Sequence, residues 1–207
     1  MPFSTGLPRN FRPRFPRKGD RPMKILITSR PIDQIPCQAL ALSFFQDERP
    51  LQGSTGLVDW RIGGKLSRLL IAQRLVGRNG ETLLTPSDER IAAERLFLFG
   101  LGKVVDFSLG RYRETVKQIV STLFRMHCYD ISLPLPGVAM TGLGYPETTE
   151  MLLVEIERYF RRRPERPPVR CTIVARAEVT PKIELGIRTA LNRNTFHEPL
   201  EVEIVSA

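Results

Sequence analysis

The residue types best suited to chemistry in this chain of 207 residues lie in two glycine-bearing segments. Thr141, Gly142, Leu143, Gly144 and Tyr145, followed by Pro146, stand between a strand-like run and a strongly amphipathic helix, and Gly53, Ser54, Thr55 and Gly56 open a second such junction. Glycines there let the backbone fold closely around an anion, because the first N–H groups of the following helix lack intrahelical partners and carry partial positive charge. The chemistry implied is the binding of a phosphate-bearing ligand. The same residues also suit tight connections that hold no ligand. A third segment, Gly100 to Lys103, has the outline of a phosphate cradle but lacks the other P-loop residues, and it reads as a strand-exit turn.

Other reactive types are dispersed. A two-metal hydrolase needs several convergent oxygen ligands. Here Asp47, Glu48, Asp59, Asp88, Glu89, Asp106, Glu147, Glu150, Glu155 and Glu157 are scattered, and most read as surface or helix-start charges. No catalytic residue, metal site or cofactor is expected. His127 and His197 are the only histidines, and no motif marks a Ser, Cys or Asp partner for either. Cys37, Cys128 and Cys171 are widely separated, with no CxxC pair, and read as reduced, mostly buried thiols. Trp60 reads as an anchor of its helix rather than as a stacking platform.

Lys and Arg number 31 against 22 acidic residues, a formal net charge of +9 that favours anionic partners. Much of that excess lies in residues 1–22, where Arg9, Arg12, Arg14, Arg17, Lys18 and Arg21 face the single Asp20. Phe3, Phe11 and Phe15 interleave with these cations, as in proteins that combine stacking and charge to hold single-stranded nucleic acid; a merely solubilising arm has the same composition. Prolines 2, 8, 13, 16 and 22 would break the amphipathic helix of a transit peptide, and no long apolar run is present, so a soluble cytoplasmic protein is expected, without membrane contact. Arg161, Arg162, Arg163 and Arg166, among Pro164, Pro167 and Pro168, form a second basic cluster suited to a solvated loop or, with the arm, to a phosphate backbone.

The elements that must position these residues begin after Pro22. Residues 23–207 read as one domain with apolar content, 42% of the chain, sufficient for a core. Strands are expected at Met23–Thr28, about Thr82–Leu84, Arg95–Phe99, near Ile131–Leu133, at Arg170–Val174 and at Val202–Val205, with a further apolar run at Ala39–Phe45. Leu57, Trp60, Leu66, Leu69 and Leu70 fall near helical spacing, with Gly63 and Gly64 weakening or bending the middle. Ser108 is the expected N-cap of a helix that buries Tyr112, Val116, Ile119, Val120, Leu123 and Phe124. Another helix is expected from about Glu147 to Phe160. In a third, Thr180 and Pro181 take the N-cap and N1 places, and Ile183, Ile187 and Leu191 form the buried stripe. This alternation implies a mostly parallel sheet covered by helices, with ligands outside the carboxyl ends of the strands, where both glycine segments converge.

Two spaced sets of residues carry a resemblance. DERPLQGSTGLVDWRIGGKLSRLL and RLFLFGLGK, followed by DFSLGRYRETVKQIVSTL, resemble the amino-terminal domain of the M17 leucyl aminopeptidases over most of Ala39 to Leu123. That domain is related to macro domains, and Thr141 to Pro146 and Gly53 to Asp59 are similar to their second and first glycine-rich loops. The resemblance implies a macro-like three-layer α/β/α fold with a mostly parallel mixed sheet. In these aminopeptidases hydrolysis belongs to a separate two-metal domain whose Asn-Thr-Asp-Ala-Glu-Gly-Arg segment this sequence lacks, so a non-catalytic module is implied. In the relatives this domain is an accessory to a hexameric enzyme, which implies association with itself or another protein. The macro-like loops imply, alternatively, a nucleotide or ADP-ribose-type ligand. Laying Val58-Asp59 on the macro-domain Val-Asp puts Arg49 near the asparagine of ADP-ribose hydrolases, so hydrolysis of such a ligand is not expected.

Overall fold

The structure is a computed structural model that describes residues 23–161, 163, 167–193, 196 and 200–205. The basic arm, Arg162, Arg166, Pro164 and His197 lie outside the described residues.

Apolar runs set the strands: β1 Met23–Thr28, β2 Cys37–Phe44, β3 Thr82–Pro86, β4 Ala93–Gly100, β5 Asp130–Leu133, β6 Val169–Val174 and β7 Leu200–Val205. They form one seven-stranded sheet in the order β3-β4-β2-β5-β6-β1-β7. All pairings are parallel except that of β3, which runs antiparallel along one edge of the sheet beside β4. Pro86, which cannot donate to a ladder, is tolerated on that edge strand.

Helices α3 (Leu109–Arg125), α4 (Tyr145–Phe160) and α5 (Thr180–Arg193) cover one face. Their apolar stripes meet Ile25, Ile27, Phe97, Ile131 and Ile173 in the larger core. The expected α3 stripe, Tyr112 to Phe124, is wholly buried, and the Ser108 hydroxyl accepts the Arg111 N–H at 3.4 Å. The opposite face carries α1 (Gly53–Arg61) and α2 (Lys65–Ile71), whose Val58 and Leu66 pack on Leu40, Leu42, Leu96 and Leu98. The three-layer α/β/α architecture with a mixed sheet is therefore as expected. Gly186 sets the α4–α5 approach: a Cβ there would lie 2.5 Å from the Pro146 carbonyl oxygen and 2.7 Å from Thr149 Cβ.

Several expectations need correction. Trp60 is not a buried anchor but 69% exposed, with the Arg61 guanidinium 4.9 Å from its ring centroid. The chain turns at Gly63 and Gly64, both at positive φ, so α1 and α2 have separate axes, and Trp60 stands about 200° around α1 from buried Val58. Thr180 is not an N-cap: its backbone is already helical, φ −50° and ψ −46°, and follows directly from a 3-10 turn at Ala177–Val179. The buried α5 stripe runs through Ile183, Gly186, Ile187 and Ala190, leaving Leu191 exposed. Of the acids read as surface or helix-start charges, Glu48, Asp59, Glu155 and Glu157 are buried.

Candidate functional site

Strand β2 delivers the chain to a turn that closes on its own carboxylate. One oxygen of Glu48, which is 5% exposed, accepts the Phe45 N–H at 3.0 Å, and the other accepts the Gln52 N–H at 2.8 Å. Arg49 donates to the carbonyls of Phe45, Glu48 and Val76 at 3.2, 2.6 and 2.9 Å and so clamps the same turn. Helix α1 starts at Gly53. The Thr55 hydroxyl donates to the Ser43 carbonyl at 2.8 Å and holds the helix to β2. A Cβ on Gly56 would lie 2.5 Å from the Leu51 carbonyl oxygen, so this glycine serves a close backbone approach.

Asp59 completes the first loop. Its carboxylate accepts the Leu66 N–H at 2.7 Å, the Ser67 N–H at 3.3 Å and the Ser67 hydroxyl at 2.5 Å, and so caps α2, whose own N-cap, Gly64, has no side chain to do so.

The second loop follows β5. The chain turns at Gly137 (φ +70°), makes a 3-10 turn at Val138–Met140 and reaches α4 through Thr141 to Gly144, with the Thr141 hydroxyl donating to the Gly137 carbonyl at 3.0 Å. Glu147, in the first turn of α4, folds back over Gly144, where a Cβ would collide with its carboxylate oxygen. Pro146 supplies no N–H there. The start of this helix is faced by an acid of its own chain, which is the favourable sign for its partial positive charge.

A cleft of about 200 Å³ opens at the carboxyl ends of β2 and β5. Gly53, Ser54 and Thr55 form one wall and Gly137, Ala139 and Met140 the other. Ser43, Phe45, Leu101, Pro134 and Leu135 also line it, together with Glu48 and, from the loop after β6, Arg176. The cleft thus unites Gly53, Ser54 and Thr55 with the turn that precedes the second glycine segment. Gly56, Thr141, Gly142, Leu143, Gly144 and Tyr145 do not line it. The bracing roles of Glu48, Arg49 and Asp59 and the place of Arg176 on the cleft wall carried no sequence signal, because their partners are backbone groups or cleft walls brought together by folding.

The remaining candidates have quieter roles. Gly100 ends β4 where a Cβ would collide with the Arg78 carbonyl, so the strand-exit reading of Gly100 to Lys103 holds. His127 is exposed in the turn after α3, with Nδ1 3.4 Å from the Tyr129 hydroxyl. All three cysteines are buried and free; burial pushes Cys37 up to about 11 and Cys171 up to about 12, and raises Cys128. Arg163 lies 4.1 Å from the Tyr159 ring centroid and donates to the Tyr159 carbonyl at 2.7 Å. Among the described residues, no group of three or more His, Cys, Asp and Glu side chains could hold a metal ion, and no helix is long and apolar enough to cross a membrane.

The sequence profile of the cytosol aminopeptidase family, N-terminal domain, matches residues 41–149, from the middle of β2 into α4. The chain belongs to this family. A probable cytosol aminopeptidase of Pseudomonas aeruginosa (strain UCBPP-PA14) is 33% identical over 105 residues, 51% of this chain and 21% of the relative. Another, of Alkaliphilus metalliredigens, is 22% identical over 143 residues, 66% of this chain and 29% of the relative. The chain thus spans between a fifth and a third of the length of these curated relatives. Among solved structures, a Trypanosoma brucei macrodomain in complex with ADP is similar at a TM-score of 0.65 and 16% identity, over 79% of this chain and 68% of that one. A mutant tomato leucine aminopeptidase is similar at a TM-score of 0.61 and 16% identity, over 86% of this chain and 37% of that one. These likenesses show the fold of an M17 N-terminal domain, which is also that of the macrodomains.

Proposed function

We propose that this M17 N-terminal domain is a non-catalytic recognition module that works in the cytoplasm through association with itself or another protein, with the β7 edge of the sheet as the contact. The observation that carries this reading is the state of that edge. Strand β7 pairs with β1 alone among the described strands, and on one of its faces Val202 and Ile204 are 42% and 52% exposed. Open edges that carry apolar side chains template pairing with another chain, and proteins usually blunt them. The non-catalytic part of the reading is supported by the employment of the buried acids. Glu48 and Asp59 hold backbone N–H groups, and Glu155 pairs with Arg113 at 3.0 Å and with Arg158.

Light scattering and sedimentation velocity on the purified chain test it. Assembly is expected, and Val202→Lys with Ile204→Lys should abolish it without lowering the melting temperature. A wild-type chain that stays monomeric at high concentration and binds no protein partner would overturn the reading.

A nucleotide or ADP-ribose-type ligand is the second reading, favoured by the placement of Gly53, Ser54 and Thr55 on the cleft wall. Glu48 opposes it: two like charges at 4 Å and an effective dielectric of about 20 repel by about 4 kcal/mol. The lining therefore suits phosphate poorly.

A further inference from the structure

Strand β7 presents two unlike faces at the edge of the sheet. Leu200 packs against the larger core and shares its face with Val202 and Ile204. Glu201 and Glu203 alternate with them on the other face, where Glu203 pairs with Lys24 at 2.6 Å and Glu201 is exposed. A strand that fits beside β7 must therefore alternate apolar with basic side chains, because opposite charges directly across a strand pair stabilise it and like charges do not.

The chain carries such a segment itself. Residues 10–15, which lie outside the described residues, read Asn-Phe-Arg-Pro-Arg-Phe, with Phe11, Pro13 and Phe15 at one set of alternate positions and Arg12 and Arg14 at the other. Laid antiparallel to β7 with Phe15 opposite Leu200, this segment sets Arg14 against Glu201, Arg12 against Glu203 and Phe11 against Ile204. The tether suits the same alignment. Met23 lies level with Leu200, so residues 16–22 have to cross two strand spacings, about 10 Å, and reach about 25 Å when extended. A parallel alignment would instead leave Phe15 at the far end of β7. Pro13 falls on what becomes the new edge strand, where a residue without an N–H is tolerated and hinders further strand addition. We propose that residues 10–15 add an antiparallel strand to β7 of their own chain, so that any partner must displace the arm. This inference rests on the reading of the β7 edge as the contact, and it names what regulates that contact.

Disulfide trapping in the full chain tests the strand. Arg14→Cys combined with Glu201→Cys should close an intrachain bond under diamide, read on non-reducing gels and by mass spectrometry, because the native thiols are buried. Phe15→Cys with Glu201→Cys, one residue out of register and on the other face, should close at least about tenfold more slowly. Arg12→Glu with Arg14→Glu should speed hydrogen exchange in β7 by at least about tenfold and let the chain assemble at a correspondingly lower concentration. Arg14→Glu with Glu201→Arg, which restores opposite charges, should return exchange towards the wild-type rate. The proposal is overturned by the absence of the intrachain bond, by a bond that forms only between chains, by equal closure of the mismatched pair, or by β7 exchange or assembly that ignores the charge reversal. An intrachain bond and the faster exchange in a reversed-charge chain that never assembles and binds no partner would support the arm strand and count against the edge contact alone.

Discussion

Replacing Asp59 by alanine should test whether the first loop is held by its own acid. The side chain is buried and supplies the cap that Gly64 cannot give to α2. Losing a helix cap costs about 1 kcal/mol, and losing a negative charge at a helix start costs about 0.5 kcal/mol more. The Leu66 N–H, on a residue that is 0% exposed, would then lack an acceptor that water cannot replace, at about 1–2 kcal/mol. Together these predict a loss of about 3 kcal/mol, which for a domain of this size lowers the melting temperature by roughly 6 to 12 °C. Asp59→Asn keeps one acceptor oxygen for Leu66 and should lose about half as much. The assay is urea unfolding followed by circular dichroism, with the slope against denaturant unchanged. Hydrogen exchange should show the loss first at Leu66 and Ser67. A loss below about 0.5 kcal/mol for Asp59→Ala, the range of ordinary surface changes, would refute the reasoning, as would an Asn variant less stable than the Ala variant.

Gly186→Val should destabilise the fold by about 3 kcal/mol through overpacking against Pro146 and Thr149, measured by the same unfolding assay, and a neutral outcome would contradict the α4–α5 packing. The native thiols should resist iodoacetamide near neutral pH and react on unfolding, because burial keeps Cys37, Cys128 and Cys171 protonated; labelling followed by mass spectrometry reads this. The sign of the linked stability follows. The folded values lie above the unfolded ones, so this contribution is complete below about pH 8.5 and is lost as pH rises through about 11 for Cys37 and about 12 for Cys171, visible as an alkaline fall in melting temperature. Trp60 should emit as a solvated indole and be quenched readily by acrylamide, and Trp60→Ala should change stability by less than about 0.5 kcal/mol; a blue-shifted, protected emission would count against its exposure.

Where a single periodicity governs an element, the sequence already displays it. The α3 stripe from Tyr112 to Phe124 follows one helical face without interruption, and β1 occupies the span its apolar run indicates. Trp60 was misread because periodicity assumes one axis, and the paired glycines at 63 and 64 give the segment two. Thr180 was misread because a preceding 3-10 turn feeds straight into α5, which makes the residue part of a continuous spiral rather than its start. In the candidate site, the sequence marks the wall at Gly53 to Thr55 through its glycine and its position after a strand. It does not mark Glu48 or Asp59 as braces, since an acid bound to backbone N–H groups has the same letter as one in solvent. The second glycine segment attracts attention by composition, yet Glu147 covers its helix start, and the cleft is walled instead by the turn just before it.

The sheet order has a practical consequence for anyone attaching another protein to this domain. Strands β1 and β7 are parallel neighbours, with Met23 opposite Leu200 and Thr28 opposite Val205. Val205 therefore ends on the side of the sheet where the cleft opens, only ~10 Å across from β6 at ordinary strand spacing, while Met23 begins at the opposite pole. An attachment close to Val205 would therefore start on the side of the sheet where the cleft opens, and one close to Met23 on the opposite side.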